Sequence, residues 1–421
     1  MILIIGAGIS GLTAARHLTG ERLILEKKPV AGGLATEYNA NGYWFPYGGH
    51  YFHFQGKEKI RNELETIQPF HRCRRNSKVL LAGRFIPFPL QFHLGYLPGD
   101  LRRAILAEML QPRSLAASAA GLDLESFLIH HFGPKLTDLF FRPFQAKFWR
   151  QPMNGLLANM DKGSIPIPDR DSVLAGSSQG RQGSRGRRFP DVGYNPVFHY
   201  PRPSLKGFID GYSRPVFGRI RFNETVKAID SRKKEVVTAN GRFAYDHLIS
   251  TVPLPDLLGM LTPPETAPAP AELRHISTLV ANLVLKTRRR RFHWLYLPEK
   301  ELPFYRAGYY PAKDRPLVYL EKTVAAGQGT DLKTALPEII LTLKKTGMIK
   351  EKTELLHADL TVIPVSYVIF DRKWPRLVPP VLERLRRKQI YSIGRYGSWN
   401  YTAMSDDILA AETLAKELNG R

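Results

Sequence analysis

The chain has one cysteine in 421 residues, Cys73, so no internal disulfide can form and no thiolate cluster can hold a metal. Stability must rest on packing, and no metal is expected. Long apolar runs are missing too: none approaches the roughly 20 residues that a membrane-spanning helix needs. Met1 runs directly into Ile2-Leu3-Ile4-Ile5 with no basic segment or cleavage site before it, so no signal peptide is expected. These absences predict a reducing, cytoplasmic setting. No internal repeat is found, which argues against solenoids and propellers. Acidic residues are scarce, 38 Asp and Glu against 61 Lys and Arg, for a formal charge of +23. One reading of this excess is a solvated basic surface. The alternatives are an anionic substrate such as a nucleotide sugar, or peripheral contact with a membrane of anionic lipid. No nucleic-acid-binding motif accompanies it, so nucleic acid is not an expected partner. The tract Arg288-Arg289-Arg290-Arg291 reads as a solvated edge or turn.

The first residues read strand, glycine turn, helix, strand, acid. Gly6, Gly8 and Gly11 follow the strand Ile2 to Ile5 as G-x-G-x-x-G, and a helix is predicted from Ser10 to Leu18. The glycines allow a tight turn, close approach of backbone to a pyrophosphate, and close helix–strand packing. The helix N-terminus turns its partial positive charge to the phosphates. Glu26 ends the next strand, twenty residues after Gly6, where a carboxylate accepts from ribose hydroxyls. A dinucleotide site follows. Pro29, Gly32 and Gly33 extend the phosphate-binding surface.

Here the chain resembles the flavin-dependent amine oxidase and UDP-galactopyranose mutase superfamily, whose members carry a second glycine pair at this point. The resemblance implies FAD as cofactor. Tyr47-Gly48-Gly49-His50-Tyr51-Phe52-His53 is similar to the mutase loop that lies against the flavin ring, which puts Gly48, Gly49, His50 and His53 there. At the other end, Gly394-Arg395-Tyr396-Gly397-Ser398-Trp399-Asn400-Tyr401-Thr402-Ala403-Met404 resembles the mutases' terminal motif. It implies that Gly394, Arg395 and Met404 touch the flavin and that Tyr401 binds a substrate diphosphate. A helix from Asp406 to Leu418, capped by Ser405, would point amides at the flavin pyrimidine. Val226 would lie near the adenine.

The segment Phe140 to Trp149 resembles the mutases' uridine-binding helix. Phe144 and Trp149 take the place of its aromatic and tryptophan; either ring can stack on uracil. Core packing explains Phe141 and Phe148. Phe88 and Gln91, in F-I-P-F-P-L-Q, are similar to the mutases' proline–aromatic pocket segment. Pro303-Phe304-Tyr305-Arg306 resembles the segment whose arginine clamps the pyrophosphate, a task that suits a planar fork of permanent charge. Tyr367 matches another diphosphate-binding tyrosine more loosely. The implied catalytic set is His53, Arg306 and Tyr401, and the implied substrate set is Phe88, Gln91, Phe144, Trp149, Tyr305, Arg306, Tyr367 and Tyr401.

The chain departs from the mutase pattern twice. A second catalytic arginine on a mobile loop falls at Ser164 or Pro168, with only Lys162 or Arg170 as substitutes, and an acid near the terminal tyrosine is Ala403. Two functions therefore follow. One is a nucleotide-sugar mutase-like isomerase, interconverting pyranose and furanose forms of a UDP-sugar through the reduced flavin N5. The other is an FAD-dependent oxidase or desaturase of the amine oxidase or protoporphyrinogen oxidase kind, which Leu248-Ile249-Ser250-Thr251-Val252-Pro253-Leu254 resembles more. A scaffolding or membrane-associated flavoprotein is a third reading, from charge alone.

The expected fold is α/β: a Rossmann-like FAD-binding domain with a helical insertion and an antiparallel-sheet substrate domain. The FAD-binding lobe takes 1–75, 195–262 and 351–421. The substrate lobe takes 76–194, with helices at 101–110, 122–131 and 136–148, and 263–350, with strands at 279–285, 294–297 and 317–321. The glycine-, serine- and arginine-rich stretch 175–186 reads as a mobile loop, with a lid over an anionic substrate as the alternative. Pro263 to Pro270 marks the joint between lobes.

Overall fold

The computed structural model describes residues 1–111, 122–158, 165–178, 196–264, 269–290, 292–311 and 316–420. Lys162, Ser164 and most of the loop 175–186 lie outside these residues. The architecture grows from a parallel sheet of five strands in the order Ile390–Ser392, His247–Ser250, β1 (Ile2–Ile5), β2 (Arg22–Glu26) and Ile220–Phe222. Its strands are apolar on both faces because both are covered. Ile4 faces α1 (Ile9–His17) and the C-terminal helix Met404–Asn419, in one core with Leu12, Ala15, Ile408 and Ala411. Leu3 and Ile5 face the other way, into a core with Leu257 of helix Leu254–Met260 and with Val378 and Leu385 of helix Trp374–Arg387. Residues distant in sequence thus meet on one sheet.

The second large sheet has seven strands in the order Leu355–Val368, His275–Leu285, Leu317–Val324, Arg306–Tyr309, Trp294–Tyr296, Ser77–Leu81 and Arg84–Pro87. It is antiparallel except where Trp294–Tyr296 runs parallel to Ser77–Leu81. Alternation decides its faces: Val318 and Leu320 enter one core, Leu317 and Tyr319 another. The helical insertion packs beside it. Gly133, at φ 78°, and Pro134 break the helical run Leu124–Leu136, and a π turn at Thr137–Phe141 leads into helix Arg142–Trp149. Among the described residues no helix is long and apolar enough to cross a membrane.

Two expectations are corrected. Leu355–Val368, placed in the closing part of the FAD-binding lobe, belongs to the seven-stranded sheet, where it pairs along His275–Leu285 from Leu285↔Leu355 to His275↔Val368. A long partner strand captures the segment that the 351 boundary assigned elsewhere. Ser405 does not cap the C-terminal helix. Its Oγ donates to the His53 carbonyl at 2.5 Å, while the Asp406 carboxylate accepts from the Ala403 N–H at the helix start, 2.9 Å away. A tertiary contact takes the hydroxyl, and the acid three residues on closes the turn.

Candidate active site

One cavity of about 1220 Å³ runs between the two sheets. This exceeds the roughly 300–1,000 Å³ of a pocket for one drug-sized ligand, so it has room for a long cofactor and a second compound.

At the nucleotide end, Gly6, Gly8, Gly32 and Gly33 line the wall. Gly6 has φ 99°, and a Cβ there would fall 2.3 Å from Thr251 Oγ1. Gly8 is the N-cap of α1 and supplies no side-chain cap, so the first-turn amides are not satisfied by a capping side chain. A Cβ on Gly8 would meet only Gly33 Cα, at 4.0 Å. Gly8 is therefore spared a side chain for the groove's sake. Gly11 is the contrary case: it does not line the cavity, and a Cβ there would lie 2.0 Å from the Gly6 carbonyl oxygen. Glu26, buried at the end of β2, fixes the turn by accepting from the Ala7 N–H at 2.7 Å and the Lys28 N–H at 2.9 Å. Val226 lies on the same wall. Beside it is Glu224, which sequence reasoning missed. Its Oε1 accepts from Asn240 at 3.1 Å, and its buried Oε2 has no hydrogen-bond partner among the described residues. A buried acceptor left open at the wall calls for a donor such as a ribose hydroxyl or adenine amine. These residues fit FAD.

Gly48, Gly49, His50 and His53 line the cavity, as do Gly394, Arg395 and Met404. Gly394, at φ 78°, has no room for a Cβ, which would lie 2.5 Å from Ser10 Oγ. That close approach seats the terminal turn on the start of α1. Arg395 donates to the Thr402 carbonyl at 2.8 Å, with its guanidinium 4.3 Å from the Tyr401 ring centre and 5.2 Å from that of Tyr367. Burial and the nearby Arg395 charge hold the His50 imidazole down at about 4, and burial with Arg75 does the same to His53. Both are neutral at physiological pH. Burial pushes the Asp407 carboxyl up to about 6 although Thr402 Oγ1 donates to it at 2.7 Å.

The far end is an aromatic chamber. Phe88, Phe144, Phe148 and Trp149 line it; Phe141 touches the wall but is a core residue, 3% exposed and stacked on Phe132. Lys147 sets this helix in place: its buried ammonium donates to the carbonyls of Leu297, Glu299 and Phe304 at 2.6, 3.0 and 2.9 Å. Gln91 donates from Nε2 to the Pro166 carbonyl at 2.7 Å. Gln91 Oε1 and Gln145 Oε1 are buried on the wall with no hydrogen-bond partner among the described residues. Gln145 was not anticipated, because an amide between Phe144 and Ala146 carries no motif.

Arg306, Tyr367 and Tyr401 line the cavity too, with Tyr367 touching Phe148 of the chamber on one side and Arg395 on the other. The rings of Tyr367 and Tyr401 stack at 5.9 Å. Arg306 donates to Tyr367 Oη at 3.1 Å and, through Nε at 2.5 Å and a terminal nitrogen, to Glu321 Oε2. Burial alone would lower the Arg306 pKa, but Glu321 and the neighbouring tyrosines more than offset it, so the group stays charged. Tyr305 is not on the wall; it is 1% exposed, packed edge-on against Phe148 at 5.0 Å. Its ring lies 5.7 Å from the Arg306 guanidinium and backs Phe144 and Phe148, so it supports the wall from behind while the arginine reaches the cavity. Of the substitutes for the absent loop arginine, Arg170 is exposed on helix Arg170–Ser177, away from the wall. The basic tract is partly occupied: Arg289 pairs with Glu354 at 2.7 Å, and Arg290 lies over Phe85.

A parallel sheet with a glycine turn, an acid at the end of β2 and a second glycine turn from the chain's far end defines a dinucleotide-binding flavoprotein. The family of flavin-containing amine oxidoreductases matches residues 9–320, and the chain belongs to it. It is an FAD-dependent enzyme. Among solved structures it is similar to a reduced UDP-galactopyranose mutase, 24% identical, covering 100% of this chain and 93% of that one, with a TM-score of 0.89. An Exiguobacterium protein described as a protoporphyrinogen oxidase is 16% identical over 99% and 98%, with a TM-score of 0.74. A double mutant of putrescine oxidase is 15% identical over 100% and 99%, at 0.68. These likenesses concern the fold.

Proposed function

We propose that the protein is a nucleotide-sugar mutase-like isomerase that interconverts the pyranose and furanose forms of a UDP-sugar. The observation that carries this reading is one cavity in which an aromatic chamber with two open amide acceptors is joined through Tyr367 to Arg306, Tyr401 and Arg395. Uracil offers a flat face and one ring N–H. Phe144 and Trp149 supply the surface to stack on, and Gln91 Oε1 or Gln145 Oε1 accepts from the N–H. Arg306, Tyr367 and Tyr401 hold the diphosphate by charge and hydroxyl donors. The sugar then lies between the diphosphate and the loop at His50, where two neutral imidazoles add no competing cation. Bound and reduced, FAD supplies the nucleophile for the anomeric carbon. The protein's part is to bind, orient and exclude water. The fold shared with a UDP-galactopyranose mutase agrees with this reading.

Titration of UDP into the oxidised holoprotein tests it. Saturable quenching of tryptophan fluorescence with a change in the flavin spectrum is expected; indifference to UDP contradicts it. One observation favours an oxidase instead. Of Glu321, Arg306 meets only Oε2, while Oε1 lies near Gly48 on the cavity wall, 3.7 Å from where a Cβ would stand. That arrangement suits a cationic amine. Oxygen uptake with an amine substrate, abolished in Glu321→Gln, is the result that reading predicts.

A further inference from the structure

Away from the cavity, three helices bring together a histidine and two carboxylates. His17 ends α1, Glu63 lies on α2 (Glu58–Glu65), and Glu412 on the C-terminal helix. His17 Nε2 is 3.7 Å from Glu63 Oε1 and 3.6 Å from Glu412 Oε1, and all three atoms lie within 4.8 Å of one another. None of these separations is a hydrogen bond. Glu412 is 8% exposed, and both its Oε1 and His17 Nε2 are buried with no hydrogen-bond partner among the described residues. A buried acceptor oxygen and a buried imidazole nitrogen, both unsatisfied and both turned on a point that the partly exposed Glu63 carboxylate also reaches, suit a cation.

We infer that His17, Glu63 and Glu412 bind a divalent first-row transition ion such as Zn²⁺. One imidazole and two carboxylates with a water completing the shell is a zinc-type donor set. Bonds of about 2.1 Å in a tetrahedron set ligand atoms roughly 3.4 Å apart, so the two distances from His17 Nε2, 3.7 and 3.6 Å, need to close by a few tenths of an ångström. The neighbouring Arg16 is engaged elsewhere: it lies over the Tyr212 ring at 4.4 Å and donates to the Tyr212 carbonyl at 2.9 Å. The ion would staple the end of α1 to α2 and to the C-terminal helix. The N-termini of α1 and the C-terminal helix line the cavity proposed for FAD, so the site is structural and its occupancy would support FAD retention.

The test uses FAD-loaded protein stripped with a chelator and titrated calorimetrically with Zn²⁺, with thermal unfolding followed by flavin release. One equivalent should bind per chain and raise the release temperature. Glu63 is partly exposed, so Glu63→Gln should fold. Changes even to outer-shell partners weaken metal sites by about 10- to 100-fold, and loss of this ligand should do at least that. His17→Gln should act alike, whereas Glu65→Gln, exposed on the same helix, should change nothing. Absence of saturable Zn²⁺ binding in wild type overturns the inference, as does unchanged affinity in both Glu63→Gln and His17→Gln. A His17→Gln variant that loses stability while wild type ignores Zn²⁺ would mean that His17 holds the three helices together without an ion, which also overturns it.

Discussion

Arg306 and Glu321 sit directly opposite each other on neighbouring antiparallel strands, and both nitrogens that the arginine turns to its partner meet the same oxygen, Oε2. The cavity's central cation therefore comes with its own counter-charge. Removing only the arginine would leave a buried carboxylate, at a cost of about 3–5 kcal/mol in comparable sites. Arg306→Ala is thus expected to lose stability as well as UDP binding. The cleaner variant is Glu321→Gln, which keeps the shape and releases the guanidinium. UDP affinity should rise by roughly tenfold, the effect of about 1.4 kcal/mol. An unchanged or weaker UDP affinity in Glu321→Gln, measured by titration, would contradict a diphosphate role for Arg306.

Two glycines of one motif should fail differently. Gly8→Val places methyl groups in the groove but touches little of the protein, so it should fold and purify colourless. Gly11→Ala drives a Cβ to 2.0 Å from the Gly6 carbonyl oxygen, so it should lower yield and melting temperature. Absorbance of bound flavin and circular dichroism separate the two outcomes. A yellow Gly8→Val would remove the phosphate groove from this account.

Stacking in the aromatic chamber gives a third expectation. A base on an aromatic ring is worth about 1–3 kcal/mol by alanine substitution. Trp149→Ala should weaken UDP by roughly 10- to 100-fold while flavin content stays normal. Fluorescence and flavin absorbance on one sample report both. Flavin loss in this variant would place Trp149 at the cofactor instead.

Acid should destabilise the fold. Burial holds His50, His53, His199 and His293 each at about 4, whereas in the unfolded chain they titrate near 6.5. Below about pH 6.5 the unfolded state takes up protons that the folded state refuses. Stability is complete above that value and is lost as pH falls toward about 4. Asp407, pushed up to about 6, acts oppositely as pH falls below about 6, one group against four. The melting temperature should drop between about pH 7 and pH 5; a flat profile contradicts the buried neutral imidazoles.

The glycine turns near both ends of the chain were legible because glycine spacing is a local constraint: a turn that tolerates no Cβ, as at Gly6 and Gly394, must declare itself in sequence. The Arg306–Glu321 pair was not, because it depends on the register of two strands fifteen residues apart. An acid inside the apolar strand Leu-Val-Tyr-Leu-Glu was the available signal. Glu224 and Gln145 carry no motif and are marked only by open oxygens at the wall. Ser405 misled because a hydroxyl before a helix is a cap only when no tertiary acceptor competes, and the His53 carbonyl does. The strand Leu355–Val368 was misplaced because nothing in its own sequence says which sheet it joins.

The central claim is isomerisation of a UDP-sugar by reduced flavin, and one measurement bears on it most directly. Holoenzyme reduced with dithionite under anaerobic conditions is incubated with a panel of UDP-hexopyranoses, and products are resolved by chromatography. The account predicts a UDP-furanose from at least one sugar, formed only after reduction and without net consumption of reductant. No furanose from any sugar, together with stoichiometric oxygen uptake by the oxidised enzyme on an amine or porphyrinogen, would contradict it.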